Sequence, residues 1–403
     1  MVGLLRRYPW HIPLIFGVTF AIHHMDRNVM AYSLPAIAAE LGWSDKQVGA
    51  WGQYLLGAFF VSYGFTQALL AGPAERFGVK RSLIASICGF SLVSIGFGVA
   101  GASVIVLVGL RLLLGFAEAA HVPMMGAIIA RTFPNDIRAT ANTIWGTGIK
   151  IATAIGPLLI VPLIAWAGWR SGFLVVGALG LLVGVPLVYF FVEAPPPTPQ
   201  AEPGTVPEGS YAFLRDRAFW AYTVVGLLNN ITGFGVLGWL PTYFVRTKHI
   251  AFALLAQPLS VIGFVGVAGM LVFAVVGDRL RLRLWSASVG LIVCGFAIYA
   301  AQFFSSLVPL VALFALANFG QSTYGAIEWS TAQLIAKDRN VGAVTGAYNG
   351  IGILVGGVLG SMIPGAIVAA TGNFDLALLA IALTAVLGGL LMGGLAYFRP
   401  ELN

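Results

Sequence analysis

The chain contains twelve apolar stretches, each long enough to cross a lipid bilayer as an α-helix. They run roughly over 11–34, 47–71, 82–102, 104–130, 140–166, 171–192, 218–245, 251–276, 285–304, 307–334, 342–369 and 374–398. About twenty apolar residues in a helix span the hydrocarbon core. Composition agrees, because 59% of the residues are hydrophobic and only 9% are charged, against about 25% charged in soluble domains. The sequence therefore predicts an all-α membrane protein with twelve transmembrane helices.

Lysine and arginine are distributed unevenly between alternate loops. If both termini are cytoplasmic, fifteen of the 22 basic residues lie on the cytoplasmic side and four lie on the opposite side. The remaining three, Arg27, Arg111 and Lys150, fall within the spans. Loops rich in Lys and Arg stay on the cytoplasmic side of the membrane. We therefore expect both termini in the cytoplasm, and the formal charge of +7 needs no nucleic-acid partner to explain it.

A proline-rich segment, 193–210, divides the spans into two sets of six. It holds six prolines and few apolar residues, which is typical of an extended, solvated linker. Glu75-Arg76 and Asp278-Arg279 recur at a spacing of 203 residues in corresponding loops. The sequence thus predicts an N-terminal six-helix bundle over 1–192, a cytoplasmic linker over 193–216 and a pseudo-symmetric C-terminal bundle over 217–403. Transporters are built from such parallel repeats.

The fourth span carries three ionisable residues, Arg111, Glu118 and His121, in an otherwise apolar stretch. Arg111 and Glu118 are seven residues apart, or two helical turns, and His121 lies one turn further on the same side. An ionisable group at this depth costs several kcal/mol unless it faces a partner or a water-filled cavity. The pattern therefore indicates a functional site.

Two further spans in the N-terminal half contain charged residues. His23, Asp26 and Arg27 form a polar stripe in the first span, and adjacent helical residues point about 100° apart, so Asp26 and Arg27 should face different neighbours. Lys150 lies near the middle of the fifth span. It is either a second cationic contact for an anionic substrate or a partner of Asp26 or Glu118, and both interpretations stay open. Roles of His23, His24 and His121 in proton transfer are also open.

The candidate polar residues in the spans of the C-terminal half are five amides and a tyrosine. They are Asn229, Asn230, Asn318, Gln321, Tyr324 and Asn349. Amides suit a hydroxyl group or a second carboxylate of a substrate, but they also form hydrogen bonds between helices. We expect this structural role for Asn229 and Asn318, and substrate contacts from Asn230, Gln321 and Tyr324.

Several stretches resemble a known transporter family. AERFGVKR (74–81) resembles the cytoplasmic loop signature of the major facilitator superfamily, although Ala71 replaces its first glycine and Glu75 its usual aspartate. Five further stretches resemble the anion:cation symporter branch, which includes bacterial sugar-acid transporters, sialin and the vesicular glutamate transporters. They are MDRNVMAYSLPAIAAELG (25–42), SYGFTQ (62–67), RLLLGFAEAAHVPMMGAIIARTFPNDIRATA (111–141), WLPTYF (239–244) and YNGIGILVGGVLGSMIPGAIVAATGNFDLAL (348–378).

The resemblance implies roles for individual residues. Glu118 would be the proton-coupling carboxylate, with Asp26 as a second acid and Arg111 neutralising Glu118 or releasing it. Arg27, Arg111, Tyr63 and Asn349 would contact the substrate. The loop residues would take part in gating; these are Glu75, Arg76, Arg138, Asp278 and Arg279.

These features predict a secondary transporter that moves a small organic anion, a carboxylate or a sugar acid, together with protons across the bacterial inner membrane. An organic-anion exchanger or efflux transporter is the alternative. Gly156-Pro157 lacks the following glycine pair typical of the superfamily's antiporters, which weakly favours symport. No P-loop is present, and Cys88 and Cys294 both lie within apolar spans. We therefore expect neither an enzyme nor a cofactor or metal site. We also expect a monomer in lipid. The identity of the transported anion and the number of protons stay open.

Overall fold

The computed structural model describes residues 8–193, 212–280, 282–336 and 341–402, and these residues form helices and connecting turns without a strand. The α-helices are α1 His11–Glu40, α2 Asp45–Phe77, α3 Val79–Val99, α4 Val104–Glu118, α5 His121–Thr132, α6 Asn135–Ala167, α7 Trp169–Leu179, α8 Val185–Phe191, α9 Arg217–Arg246, α10 Ala256–Leu280, α11 Arg283–Ala301, α12 Leu307–Ala336, α13 Val341–Thr371 and α14 Phe374–Phe398. The predicted all-α fold is confirmed.

Ten helical segments in the described part of the chain are long and apolar enough to cross a membrane. The helices α1 and α2, with 30 and 33 residues, cover the remaining two predicted spans. Helix α1 is less apolar because it carries His23, His24, Asp26 and Arg27. The chain is therefore a multi-pass membrane protein.

Two spans expected as single helices are interrupted. The fourth span turns at Ala119 and Ala120 between α4 and α5. Pro123 has no N–H and cannot donate to the Ala119 carbonyl, so its ring ends one helix and starts the next. The sixth span contains a π-helical turn over Gly180–Gly184 just before Pro186. Pro186 likewise has no N–H to donate to the preceding turn, which interrupts the regular hydrogen bonding of the helix.

The chain forms two compact units, and their boundaries differ from the sequence-based division. The first comprises Met1–Leu41 and Ala58–Ala201, and the second comprises Gly42–Gly57 and Glu202–Asn403. Within the second unit, Arg246 Nε donates to Asp45 Oδ1 at 2.9 Å. A side chain at Gly49 would place its Cβ 2.6 Å from the Gly365 carbonyl oxygen. The first part of α2 therefore packs in the second unit. Because α2 is one continuous helix, the hydrophobic pattern of the sequence does not indicate this boundary. Most of the predicted linker, residues 194–211, lies outside the described residues.

A close contact between α4 and α2 orients the charged residues of the fourth span. A Cβ at Gly115 would lie 2.8 Å from the Tyr63 backbone nitrogen and would overlap the Phe59 carbonyl oxygen. Residues four before and three after Gly115 share its helical face. Arg111 and Glu118 therefore face into the first unit, where both are buried.

A polar cluster at the end of α1 joins three segments of the first unit. Glu40 accepts hydrogen bonds from Arg170 Nη1 at 2.9 Å, Arg170 Nη2 at 3.0 Å and Trp169 Nε1 at 2.6 Å. Arg170 Nε also donates to the Ala100 carbonyl at 3.1 Å. The hydrogen bonds from Arg170 lower the pKa of Glu40, with a smaller contribution from Trp169.

We predict that Glu40→Gln lowers thermal stability at neutral pH and has less effect in acid. Because the folded-state pKa of Glu40 is lowered, its stabilisation is present above its unfolded pKa of about 4.3 and is lost as the pH falls through the lowered value. An exposed pair of this kind contributes at most about 1 kcal/mol. Unfolding temperatures of wild type and variant in detergent, measured from pH 7 downwards, test this. A difference that stays constant across the range contradicts it.

Candidate functional site

The buried carboxylate of Glu118, the last residue of α4, is the centre of the site. Its Oε2 lies 3.3 Å from Arg27 Nη2 on α1. The same oxygen lies 3.0 Å from His23 Nε2, one turn earlier on α1. Arg27 is 8% exposed and the other two side chains are fully buried. A buried carboxylate is therefore paired directly with a guanidinium, and a neutral or charged imidazole contacts the same oxygen.

Two aromatic rings of α2 support the Arg27 guanidinium. Its central carbon lies 4.6 Å from the ring centre of Phe59 and 4.8 Å from that of Tyr63, and the two rings stack with centroids 5.4 Å apart. Gln67 Nε2 donates to the Tyr63 hydroxyl at 3.3 Å. The Arg111 guanidinium lies 5.1 Å from the same Phe59 ring. Phe59 therefore contacts both Arg27 and Arg111 through cation–π interactions, and its apolar surroundings in the sequence do not indicate this role.

Asp26 faces a different neighbour from Arg27. The Ser94 hydroxyl of α3 donates a hydrogen bond to Asp26 Oδ1, and both side chains are fully buried. Asp26 also lies within electrostatic range of Arg111 and Arg27. The two adjacent residues thus contact different helices, as their 100° separation on α1 predicts. Ser94 lies in an apolar stretch and was not identified from the sequence.

The histidines His23 and His121 form a stacked pair beside Glu118. Their ring centroids lie 4.7 Å apart at an interplanar angle of 13°. Phe20 stacks on His23 at 5.6 Å, and the Phe90 ring meets both imidazoles edge-on. Neither ring nitrogen of His121 has a hydrogen-bond partner within the described residues. His23 therefore contacts both the Glu118 carboxylate and a second imidazole. The i, i+4 spacing places His23 and Arg27 on one face of α1, which could have indicated that both contact the same acid.

Lys150 lies on α6 in the first unit and is partly buried. Its charge acts on His24 of α1. The structure thus brings this third cation of the spans near the histidine next to His23. Neither of its two predicted roles, substrate contact or structural partner, is tested by this placement.

In the second unit, Asn229, Asn318 and Gln321 take part in hydrogen bonds between helices. Gln321 Nε2 of α12 donates to the Asn229 carbonyl at 3.0 Å and to Asn229 Oδ1 at 3.2 Å. Asn318 Nδ2 donates to the Ile262 carbonyl of α10 at 2.8 Å, the role expected for it. Asn230 and Asn349 are partly buried.

Tyr324 belongs to an aromatic cluster rather than lying alone. Its hydroxyl group is hydrogen-bonded to that of Tyr348, which in turn donates to Glu328 Oε1 at 2.9 Å. Tyr222 stacks on Tyr348 with ring centroids 5.3 Å apart. The predicted substrate contact at Tyr324 is thus a buried hydroxyl that already has a partner.

The predicted gating residues are only partly described. Glu75 forms an ion pair with Arg131, a residue that the sequence reasoning did not assign to gating. Arg138 Nη2 donates to the Ala130 carbonyl at 2.8 Å and its Nε donates to the Phe133 carbonyl at 3.3 Å. Arg138 therefore caps the end of α5. Arg76 and Arg279 are exposed, and the Asp278 side chain lies outside the described residues.

We predict strong energetic coupling between Arg27 and Glu118. Replacing one partner of a buried ion pair leaves an uncompensated charge, which costs about 3–5 kcal/mol, whereas replacing both is far milder. Arg27→Met should therefore lower the unfolding temperature more than the double variant Arg27→Met/Glu118→Gln.

The exposed pair Arg170–Glu40 provides the matched control for this cycle, because coupling across an exposed pair is weak. Unfolding of all single and double variants by heat in detergent measures both couplings. Effects at Arg27 and Glu118 that simply add would contradict the pairing.

Comparison with known proteins places this geometry in a family. Residues 16–361 match the model of the Major Facilitator Superfamily. A probable galactarate/D-glucarate transporter of Bacillus subtilis is 26% identical over 428 aligned residues, covering 96% of this chain and 92% of that protein. The hexuronate transporter of the same organism is 27% identical and covers 96% and 92%. A probable sulfoacetate transporter of Cupriavidus necator is 26% identical and covers 90% and 89%.

The fold of this chain also matches that of a solved transporter structure. A bacterial homologue of the human lysosomal transporter Spinster, in an inward-facing and occupied conformation, superposes with a TM-score of 0.83 over 98% of both chains at 18% identity. This likeness shows the fold alone. The chain is a transporter rather than an enzyme, and it belongs to the Major Facilitator Superfamily.

Proposed function

We propose that this transporter carries a small organic anion, a carboxylate or a sugar acid, together with protons. The relatives are named for galactarate or D-glucarate, hexuronate and sulfoacetate, and negative charge is what these solutes share. The observation that carries the proposal is the buried pair of Arg27 and Glu118, with the Arg111 guanidinium 5.1 Å from the same Phe59 ring that contacts Arg27. Guanidinium groups bind carboxylates and sulfonates through parallel N–H donors.

The Arg27–Glu118 pair couples anion binding to protonation. An anion that binds Arg27 competes with Glu118 for the same guanidinium. Glu118 would then be a buried carboxylate without its cation, which is costly, and taking up a proton removes that cost. Anion and proton therefore occupy the site together, which is the requirement for symport.

His23 lies beside Glu118, with 3.0 Å between His23 Nε2 and Glu118 Oε2 but without the geometry of a hydrogen bond. A neutral imidazole has one donor and one acceptor nitrogen. A rotation of the ring would let it donate to the carboxylate or accept from a protonated Glu118. Asp26, held by Ser94, is the second acid of the proposal. The substrate contacts that complete it are Tyr63, Lys150, Asn230, Gln321, Tyr324 and Asn349.

Transport by alternating access follows the division of the chain proposed from its sequence. The N-terminal bundle 1–192 and the C-terminal bundle 217–403 would move about the linker 193–216 as a monomer in the bacterial inner membrane, with both termini cytoplasmic. The Glu75–Arg131 ion pair would hold the ends of α2 and α5 together within the first unit during this movement. Arg76, Arg138, Asp278 and Arg279 are the other proposed gating residues.

We predict that Glu118→Gln abolishes uptake driven by a pH gradient but preserves exchange of labelled for unlabelled substrate. Glutamine keeps the size and one acceptor of the side chain but cannot carry a proton. The measurement is uptake of labelled galactarate or hexuronate into proteoliposomes with an imposed inward proton gradient. Glu40→Gln, which changes a carboxylate of the same type outside the buried site, is the control and should transport normally.

Three outcomes of this assay discriminate between the functions. Accumulation by wild type and by Glu40→Gln, but not by Glu118→Gln, agrees with the proposal. Undiminished accumulation by Glu118→Gln removes that residue from coupling. Movement of substrate by wild type only when a counter-substrate is supplied establishes an exchanger and contradicts symport.

A further inference from the structure

A surface cavity of about 580 Å³ lies within the second unit, between the turn that leads into α2 and the turn that follows α9. The residues that line it are Ser44, Asp45, Val245, Arg246 and His249, and all five belong to the second unit. Both turns follow odd-numbered spans, so they lie on the face expected to be opposite the cytoplasmic termini. A cavity of this volume is large enough for a small organic molecule.

Two hydrogen bonds hold the Arg246 guanidinium in the wall of this cavity. Its Nε donates to Asp45 Oδ1 at 2.9 Å, and its Nη2 donates to the Trp43 carbonyl oxygen. A guanidinium has five N–H donors, so within the described part of the chain these bonds leave three of them for a ligand or for solvent. The side chain is 26% exposed. Arg246 is therefore a fixed and accessible cation with the donor geometry that suits a carboxylate.

The start of α2 is fixed so that Asp45 meets this guanidinium. The Ser44 N–H donates to Gln47 Oε1 at 2.9 Å, and the Gln47 N–H donates to Ser44 Oγ at 3.4 Å. This reciprocal arrangement is a capping box, which fixes the first turn of the helix. Asp45 itself is 45% exposed, and an exposed ion pair contributes little to stability. An incoming anion can therefore replace Asp45 on the guanidinium at small cost.

His249 has a backbone conformation that favours glycine. Its φ is +53°, the one positive value recorded for a non-glycine residue in the described ranges. Left-handed backbone costs free energy in a residue with a Cβ, whereas glycine adopts it freely. The Ile250 N–H donates to the Phe244 carbonyl at 2.9 Å and closes this turn, and the His249 imidazole is exposed. A strained residue that lines a cavity indicates a use for its side chain.

Basic residues are concentrated around this cavity. Of the four Lys and Arg residues expected on this side of the membrane, three lie among its lining residues or directly beside them in the sequence: Lys46, Arg246 and Lys248. The fourth, Arg170, pairs with Glu40 in the first unit. The carboxylates in this region are Asp45 and Asp375, and the latter accepts a hydrogen bond from Tyr243, one turn before Arg246. Three cations against two carboxylates leave an excess of positive charge, which attracts anions.

We propose that this cavity is a second anion site, at which Arg246 and His249 bind a carboxylate of the substrate at the surface of the protein. This inference rests on the proposed function and adds to it a site remote from the buried Arg27–Glu118 pair. The carboxylate replaces Asp45 on the guanidinium, and the imidazole donates a further hydrogen bond. Capture at the surface raises the rate at which the anion is bound, so it acts on kcat/KM rather than on kcat.

The two partners of the Arg246–Asp45 pair give opposite predictions. Initial uptake of labelled galactarate or hexuronate is measured in intact cells, at low and at saturating concentration, for wild type, Arg246→Gln and Asp45→Asn. We expect Arg246→Gln to lower kcat/KM about tenfold, the effect of one lost hydrogen bond to a charged group, with little change in kcat. Asp45→Asn frees the guanidinium and should raise kcat/KM. An ion pair that only held the two turns together would make both variants change transport in the same direction.

Two further variants separate anion binding from structure. Asparagine adopts the left-handed conformation readily, so His249→Asn keeps the turn and should lower kcat/KM through the lost imidazole. Arg170→Gln is the matched control, because it removes an arginine of the same face that pairs with a carboxylate outside this cavity. It should leave kcat/KM and kcat unchanged.

Two results would overturn the inference: an unchanged kcat/KM in Arg246→Gln, or a loss of equal size in Arg246→Gln and Asp45→Asn. Failure of wild type to take up any labelled organic anion tested would instead contradict the proposed function, and the second anion site would fall with it.

Discussion

The structure of the first unit depends on neutralising charge inside the membrane. Glu118 is fully buried on α4, and its compensating cation comes from α1, 91 residues earlier in the chain. Neither residue could lie at this depth alone without a cost of several kcal/mol. The pair therefore joins α1 to α4. In the proposed function, the guanidinium that stabilises this contact also binds the anion.

The surroundings of this pair restrict what can replace it. Phe59 and Tyr63 contact the Arg27 guanidinium from α2, Ser94 donates to Asp26 from α3, and His23, stacked on His121, contacts Glu118. Small residues permit this assembly, because Gly115 lets α4 approach the backbone of α2. A polar site inside an apolar bundle is therefore built from close helix contacts and from aromatic rings packed against its charged groups.

Hydrophobic segmentation predicts the helical architecture well, because lipid leaves the chain few alternatives. The residues Arg27, Arg111 and Glu118 are equally visible in the sequence, since charge in an apolar span is conspicuous. What periodicity does not predict is which of them pair. The resemblance implies that Arg111 of the same span neutralises Glu118, and the structure shows an ion pair of Glu118 with Arg27 as well. Ser94 and Phe59 are inconspicuous in apolar helices, and the packing of residues 42–57 in the second unit depends on tertiary contacts that local sequence does not encode.

The most direct test of the account is whether anion binding takes up a proton. Substrate is added to purified protein in weakly buffered detergent solution, and the pH change is followed with an indicator dye. Because the anion displaces Glu118 from Arg27, wild type should take up a proton on binding, and Glu118→Gln should bind without doing so. Substrate binding by wild type with no proton uptake across the neutral range would contradict the central claim.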